Sequence, residues 1–195
     1  MTTSTHPGIG IRAVDPRIVA SGKGAMVYDA NLPEAPTQTW FDRDWWQSRD
    51  ALRATAGGRG GVAHLNTPVG ACVLRHYHRG GWMAPLLGDR YVWNGRNRSR
   101  GFAEFGLLGK LAARGLPVPA PVAARYLRRG PYYTADLITR AIEDAQTLGD
   151  VITAQRFDAA VAEQVGTLIA RFHAAGVDHA DLNAHNILVA GNAMW

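Results

Sequence analysis

The segment from Arg156 to Gly176 spaces Val161, Val165, Leu168 or Ile169, and Phe172 three or four residues apart, the period of a helix with one apolar face. Gly176 stands where a C-terminal cap is expected. The chain then runs His179-Ala180-Asp181-Leu182-Asn183-Ala184-His185-Asn186 into the apolar residues Ile187, Leu188 and Val189. A long amphipathic helix must therefore pass the backbone to a short polar loop that ends in a strand. Helix, loop and strand in that order leave few folds open, because the helix face and the strand both have to be buried against further elements.

Upstream, the order of elements is that of an α+β protein. The first fifty residues are rich in turn formers and aromatics and read as an irregular arm with short strands, residues 1–56. It ends in an amphipathic segment with Trp40, Phe41, Trp45 and Trp46, a cluster expected to anchor packing. Gly61 to Leu65 and Ala71 to Tyr77 are β-type runs around a turn with Asn66, Pro68 and Gly70, which predicts a hairpin. Phe102, Phe105, Leu108 and Leu111 lie at helical spacing, with Gly115 as the stop and Pro117 beyond it. Val122 to Leu127 and Tyr132 to Ile142 read as strands, followed by a polar linker at Glu143 and Asp144. A first lobe over 57–141 and a second over 142–195 follow from this order.

The closing loop carries the clearest chemistry. An aspartate ahead of a tight turn can accept a proton from an attacking hydroxyl, the role open to Asp181. An asparagine ahead of a strand can offer its amide oxygen to a Mg²⁺ ion bridging nucleotide phosphates, the role open to Asn186. Their spacing lets both side chains face one phosphoryl group, and His179 is placed to brace the loop backbone. The reading is phosphoryl transfer.

Other candidates are weaker. Gly57, Gly58, Arg59, Gly60 and Gly61 precede a hairpin strand, and without Cβ atoms their N–H groups could approach a polyphosphate. No helix follows at once, as a P-loop or dinucleotide fingerprint requires, so a flexible connection fits them better. Arg75 ends a strand where a phosphate-binding cation would stand, and Glu104 is the acidic residue of the next helix. The two either position phosphates or form a surface pair worth about 0–1 kcal/mol, and the sequence leaves both open. His76 and His78 alternate on a strand without further ligands nearby, so they read as structural rather than as a metal pair. His173 reads as a packing or capping residue. Arg96, Arg98 and Arg100 form a basic patch better suited to an anionic substrate than to nucleic acid.

Composition sets the limits. The formal net charge is +5 over 195 residues, and apart from Lys23 and Lys110 the basic residues are arginines. Arginine's planar fork suits phosphate and carboxylate, although arginine-rich codon usage would give the same bias. Cys72 is the single cysteine, which excludes an internal disulfide and a thiolate zinc site. No run nears the roughly 18 apolar residues of a membrane span, and the N-terminus lacks a signal pattern, so a cytoplasmic location is expected.

The stretches GGRGGVAH, VLRHYHRGGW, RSRGFAEFGLLGKLAARGLPVPAPVAARY and above all HADLNAHNILV make the chain resemble the lipopolysaccharide kinase (Kdo/WaaP) family of Gram-negative bacteria. The resemblance runs from about Gly57 to the C-terminus, with weaker similarity in GKGAMVYD. It implies a protein-kinase-like two-lobed fold, with ATP and Mg²⁺ as phosphoryl donor. It also implies a 3-deoxy-D-manno-octulosonic acid (Kdo) hydroxyl on Kdo–lipid A as acceptor, and peripheral association with the cytoplasmic face of the inner membrane. By motif, Asp181 resembles the catalytic base and Asn186 a Mg²⁺ ligand. Arg75 and Glu104 take the places of the strand cation and helix glutamate. Family members continue into a strand with a metal-binding aspartate. The sequence closes at Trp195, so a truncated second lobe is the expectation. An aminoglycoside- or choline-type phosphotransferase and a non-catalytic kinase-like binding module are the alternatives. Trp40, Trp45 and Trp46, with the arginines of NGRNRSR, are candidates for contact with an anionic lipid surface.

Overall fold

The computed structural model of the chain describes residues 13–56, 62–78 and 88–195. Its backbone divides into two compact units, Met1–Gly115 with Ala120–Arg140, and Leu116–Pro119 with Ala141–Trp195. Each mixes helices with antiparallel strands.

The first unit is one sheet covered on both faces. Its strands are β1 (Pro16–Ser21), β2 (Gly24–Asp29), β3 (Leu52–Ala56), β4 (Val62–Thr67), β5 (Gly70–His76), β6 (Tyr91–Val92), β7 (Pro121–Arg129) and β8 (Tyr132–Arg140). They lie in the order β1-β2-β7-β8-β5-β4-β3, with β6 also beside β8. The predicted hairpin is β4–β5, with Thr67 opposite Gly70 and the Thr67 hydroxyl donating to the Gly70 carbonyl at 2.7 Å. β7 lies inside the sheet, and its Val122, Ala123 and Ala124 are fully buried because both faces are covered.

Helix α2 (Arg100–Ala113) lies on one face, where Phe102 and Phe105 pack with Tyr77, Tyr126, Tyr133 and Leu137. On the other face sit a 3-10 turn, Gln38–Phe41, and the short helix α1 (Arg43–Gln47). There Trp40, Phe41 and Trp46 join Leu65, Cys72, Leu74 and Ile138. The Trp46 indole N–H donates to the Trp40 carbonyl at 2.7 Å, and the Asp42 carboxylate caps α1. Trp40 and Trp46 are each 2% exposed, so they anchor packing and are not available to a lipid surface as a group with Trp45. Burial also pushes the Cys72 thiol pKa up, so Cys72 stays an inert apolar filler.

α2 packs tightly against the sheet backbone at Gly101. A Cβ there would stand 2.7 Å from the Asp136 carbonyl oxygen and 3.2 Å from that of Arg125, both backbone atoms of strands. Gly101→Ala is therefore expected to destabilise the protein by about 1–3 kcal/mol, the usual cost of overpacking, measured by urea unfolding.

Strand register builds a polar row on the α1 face. Asp136 of β8 is opposite His76 of β5 on one side and Arg125 of β7 on the other. The buried Asp136 carboxylate accepts from Arg125 Nε and from His76 Nδ1, both at 2.6 Å. His76 Nε2 meets Asp89 Oδ2 at 3.1 Å. An imidazole bonded to carboxylates at both nitrogens is held as the cation. The hydrogen bond to Asp136 raises its pKa above the ordinary 6.5, against an opposing effect of burial. A raised folded-state pKa contributes stability that is complete below 6.5 and is lost as pH rises through the folded value. The urea midpoint is expected to fall as pH is raised above 6.5, and His76→Ala should flatten that dependence.

The second unit holds β9 (Gln146–Thr147), β10 (Leu188–Ala190) and β11 (Ala193–Met194) in the order β11-β10-β9, with helices α3 (Leu148–Thr153) and α4 (Ala159–Ala174). Thr147 and Asp150 form a reciprocal capping box at α3, and those bonds from Thr147 lower the Asp150 pKa. Asp158 caps α4 through the Val161 N–H at 2.9 Å. Leu148, Val151, Leu168, Ile187 and Met194 form the core. Of the predicted stripe on α4, Leu168 is buried and Val161, Val165, Ile169 and Phe172 are half-buried. Gly115 and Gly176 follow α2 and α4 with φ of +73° and +71°, as their reading as helix stops expected. Among the described residues no helix is long and apolar enough to cross a membrane.

Candidate active site

The loop between α4 and β10 is held by its own polar groups. The Asp181 N–H donates to His179 Nδ1 at 3.2 Å. The Asp181 carbonyl accepts from the side-chain amides of Asn186 at 2.7 Å and Asn183 at 3.2 Å. Asn183 Oδ1 in turn accepts from the His185 N–H at 2.9 Å, and its carbonyl accepts from the Asn186 N–H at 3.0 Å. The loop is tied to α3 by the Leu148 N–H to the Ile187 carbonyl at 2.9 Å and the Gly149 N–H to the Ala184 carbonyl at 3.0 Å.

This web sorts the two candidate groups. A carbonyl acceptor at Asp181 requires the NH₂ end of Asn186, so Oδ1 of Asn186 is left to point elsewhere. The Asp181 carboxylate is exposed and has no hydrogen-bond partner among the described residues. One bond thus ties the Asn186 side chain to the Asp181 main chain, with the Asp181 carboxylate and Asn186 Oδ1 unspent among the described residues. His179 lies against the Asp181 amide. His173, read as a packing or capping residue, is exposed at the end of α4, 3.8 Å from Asp178.

In the first unit, Arg75 of β5 and Glu104 of α2 are paired through Arg75 Nη2 and Glu104 Oε1. The pair is partly exposed, at 45% and 31%, so it is worth little as a stabilising bridge. The Tyr77 hydroxyl donates to the other carboxylate oxygen, Oε2, at 2.5 Å. Tyr77 is buried, and its pKa is pushed far up, first by burial and then by the Glu104 charge. The Arg75 guanidinium lies 5.3 Å from the Tyr77 ring centre. Tyr77 did not stand out in the sequence. The signal available was alternation, since residues two apart on a strand share a face and Glu104 was already paired with Arg75.

Gly57, Gly58, Arg59, Gly60 and Gly61 lie outside the described residues. Arg96 and Arg98 form a short 3-10 turn and are exposed, while the Arg100 guanidinium lies against the rings of Tyr77 and Tyr91. A cavity of about 530 Å³ opens beside Gln38, Asp42, His76, Arg125 and Asp136, on the sheet face opposite Arg75. It therefore belongs to the polar row and not to the Arg75–Glu104 pair. Among the described residues no group of three or more His, Cys, Asp or Glu side chains is placed to hold a metal ion.

A loop with Asp and Asn at this spacing and a strand-cation–helix-carboxylate pair are both features of one class of proteins, the phosphotransferases related to protein kinases. Residues 43–193 match the profile of the lipopolysaccharide kinase (Kdo/WaaP) family, and the chain belongs to that family. It is 44% identical over 181 residues to the 3-deoxy-D-manno-octulosonic acid kinase of Stenotrophomonas maltophilia (strain K279a), covering 92% of this chain and 72% of that protein. It is 45% identical over 185 residues to the 3-deoxy-D-manno-octulosonic acid kinase of Xanthomonas euvesicatoria pv. vesicatoria (strain 85-10), covering 94% and 73%.

Proposed function

We propose that this chain transfers the terminal phosphoryl group of ATP to a hydroxyl of Kdo on Kdo–lipid A, a step of lipopolysaccharide core biosynthesis. Support comes from the family membership and from the name shared by its relatives. The observation that carries it in this chain is the Asn186 amide on the Asp181 main-chain carbonyl, which ties the two loop positions together and leaves the Asp181 carboxylate and Asn186 Oδ1 without hydrogen-bond partners among the described residues.

In this reading Asp181 orients the acceptor hydroxyl and takes its proton, and His179 keeps the loop in register. Arg75, held by Glu104, contributes positive charge to the nucleotide phosphates, and Gly57 to Gly61 with Arg59 supply backbone contacts to them. The donor set suits Mg²⁺, a hard ion that keeps several waters and takes one or two protein oxygens beside substrate phosphates. Asn186 Oδ1 would hold it, and when bound it would neutralise charge on the transferring phosphoryl group. The same reading makes residues 57–141 and 142–195 the two lobes of a protein-kinase-like fold, with the strands of the N-terminal stretch, 1–56, added to the sheet of the first. It also places the protein on the cytoplasmic face of the inner membrane as a peripheral protein.

The test is transfer of label from γ-labelled ATP to purified Kdo–lipid A. Labelled Kdo–lipid A is the expected product. Labelling of an aminoglycoside or choline in its place would move the acceptor class. ATP binding without transfer to any acceptor would leave a binding module.

A further inference from the structure

We propose that Tyr77 is a positioning residue of the phosphate-binding site, its hydroxyl fixing Glu104 so that Arg75 is presented to the nucleotide. The proposal rests on the reading of Arg75 as a phosphate-binding cation. Glu104 has two carboxylate oxygens and the structure gives each a different partner: Oε1 pairs with Arg75 and Oε2 accepts from Tyr77 at 2.5 Å. A pair as exposed as Arg75–Glu104 would sample many rotamers if left to itself. Tyr77 removes that freedom, because its ring is buried among Phe102, Phe105, Tyr91 and Tyr133 and cannot follow a wandering carboxylate.

Three further features fit a fixed donor. The Tyr77 backbone N–H donates to the Ala135 carbonyl at 3.0 Å, so the residue extends the β5–β8 ladder and its side-chain direction is set by the sheet. Its phenol stays protonated, which makes the bond to Glu104 a constant of the site rather than a variable. Arg100 lies one helical turn before Glu104, with its guanidinium 5.5 Å from the Tyr77 ring centre. At that spacing on a helix it is a rival partner for the Glu104 carboxylate. Tyr77 holds Oε2 and so keeps Glu104 on the Arg75 side. When Arg75 engages a phosphate, Glu104 is still restrained, and the arginine is not drawn into a new orientation with it.

The experiment compares the full chain with Tyr77→Phe, Glu104→Ala, the double variant and Arg75→Ala. ATP affinity is measured by calorimetry, and KM for ATP and kcat by label transfer to Kdo–lipid A. Y77F keeps the buried ring, and its thermal midpoint checks the fold. The expected result is about tenfold weaker ATP binding and a matching rise in KM, from loss of one hydrogen bond to a charged group, with kcat changed by less than about threefold. In the Glu104→Ala background the same substitution should add less than about twofold, because the acceptor is already gone. Glu104→Gln gives a second route that leaves Tyr77 intact: it keeps an acceptor for the hydroxyl and should cost less affinity than Glu104→Ala. Multiplying effects of Y77F and E104A would overturn the proposal, as would unchanged ATP affinity in Y77F while R75A abolishes binding. Unchanged affinity in R75A would instead remove the phosphate role of Arg75, and the proposal with it.

Discussion

Replacing Asp181 by asparagine is expected to lower kcat for transfer to Kdo–lipid A by about 10²–10⁴-fold, the range contributed by a positioned proton acceptor. The substitution is close to isosteric, and the contacts that shape the loop involve the Asp181 main chain. Its N–H lies on His179 Nδ1 and its carbonyl takes the Asn186 and Asn183 amides. The carboxylate itself is exposed and forms no hydrogen bond among the described residues, so unfolding free energy should stay within about 0.5 kcal/mol of the parent. ATP affinity should also hold, since the change removes a proton acceptor and leaves Arg75 and Asn186 in place. Equal label transfer by the parent and Asp181→Asn would remove Asp181 from the chemistry. A parallel loss of stability would mean that the loop, and not the proton acceptor, had been damaged.

The loop was legible because its signals are local. A helix of clear period, a glycine stop, a polar loop and an apolar run specify their own order, and α4, the Asp181–Asn186 loop and β10 follow it. The Arg75–Glu104 pair was legible in part: strand and helix were read correctly, but nothing in sequence says that two such elements face each other. Tyr77 shows the limit, since its importance lies in a partner 27 positions away. The N-terminal residues show it again. β1 and β2 look like an isolated arm until β2 pairs with β7, where Tyr28 meets Ala123 across the fold. Non-local register of that kind leaves only a weak trace in hydrophobic patterning. The tryptophans then become core residues because the sheet they cover is assembled from distant strands.

The same argument makes Asp136 the residue whose loss should cost the most stability. In sequence it is one acidic residue in YYTADLITR, a position where a strand would ordinarily turn a polar group to solvent. Register places it between His76 and Arg125, and its side chain is 4% exposed. Arg125 is itself 18% exposed, and its other nitrogens reach the carbonyls of Gln38 at 3.4 Å and Phe41 at 3.3 Å. The carboxylate thus neutralises a guanidinium that joins the sheet to the turn carrying Trp40 and Phe41. Asp136→Ala would leave Arg125 charged, largely buried and facing a void, and breaking a buried pair from one side costs about 3–5 kcal/mol. Asp136→Asn should cost less, because the amide oxygen can still accept from Arg125 Nε, though the charge is lost. Urea unfolding of both variants at pH 6 checks the order. The pH dependence assigned to His76 should weaken in both, since the hydrogen bond that chiefly raises its pKa is the one to Asp136. An Asp136→Ala protein as stable as the parent would show that the row is a surface network and that the tryptophan-bearing turn is held by its apolar contacts alone.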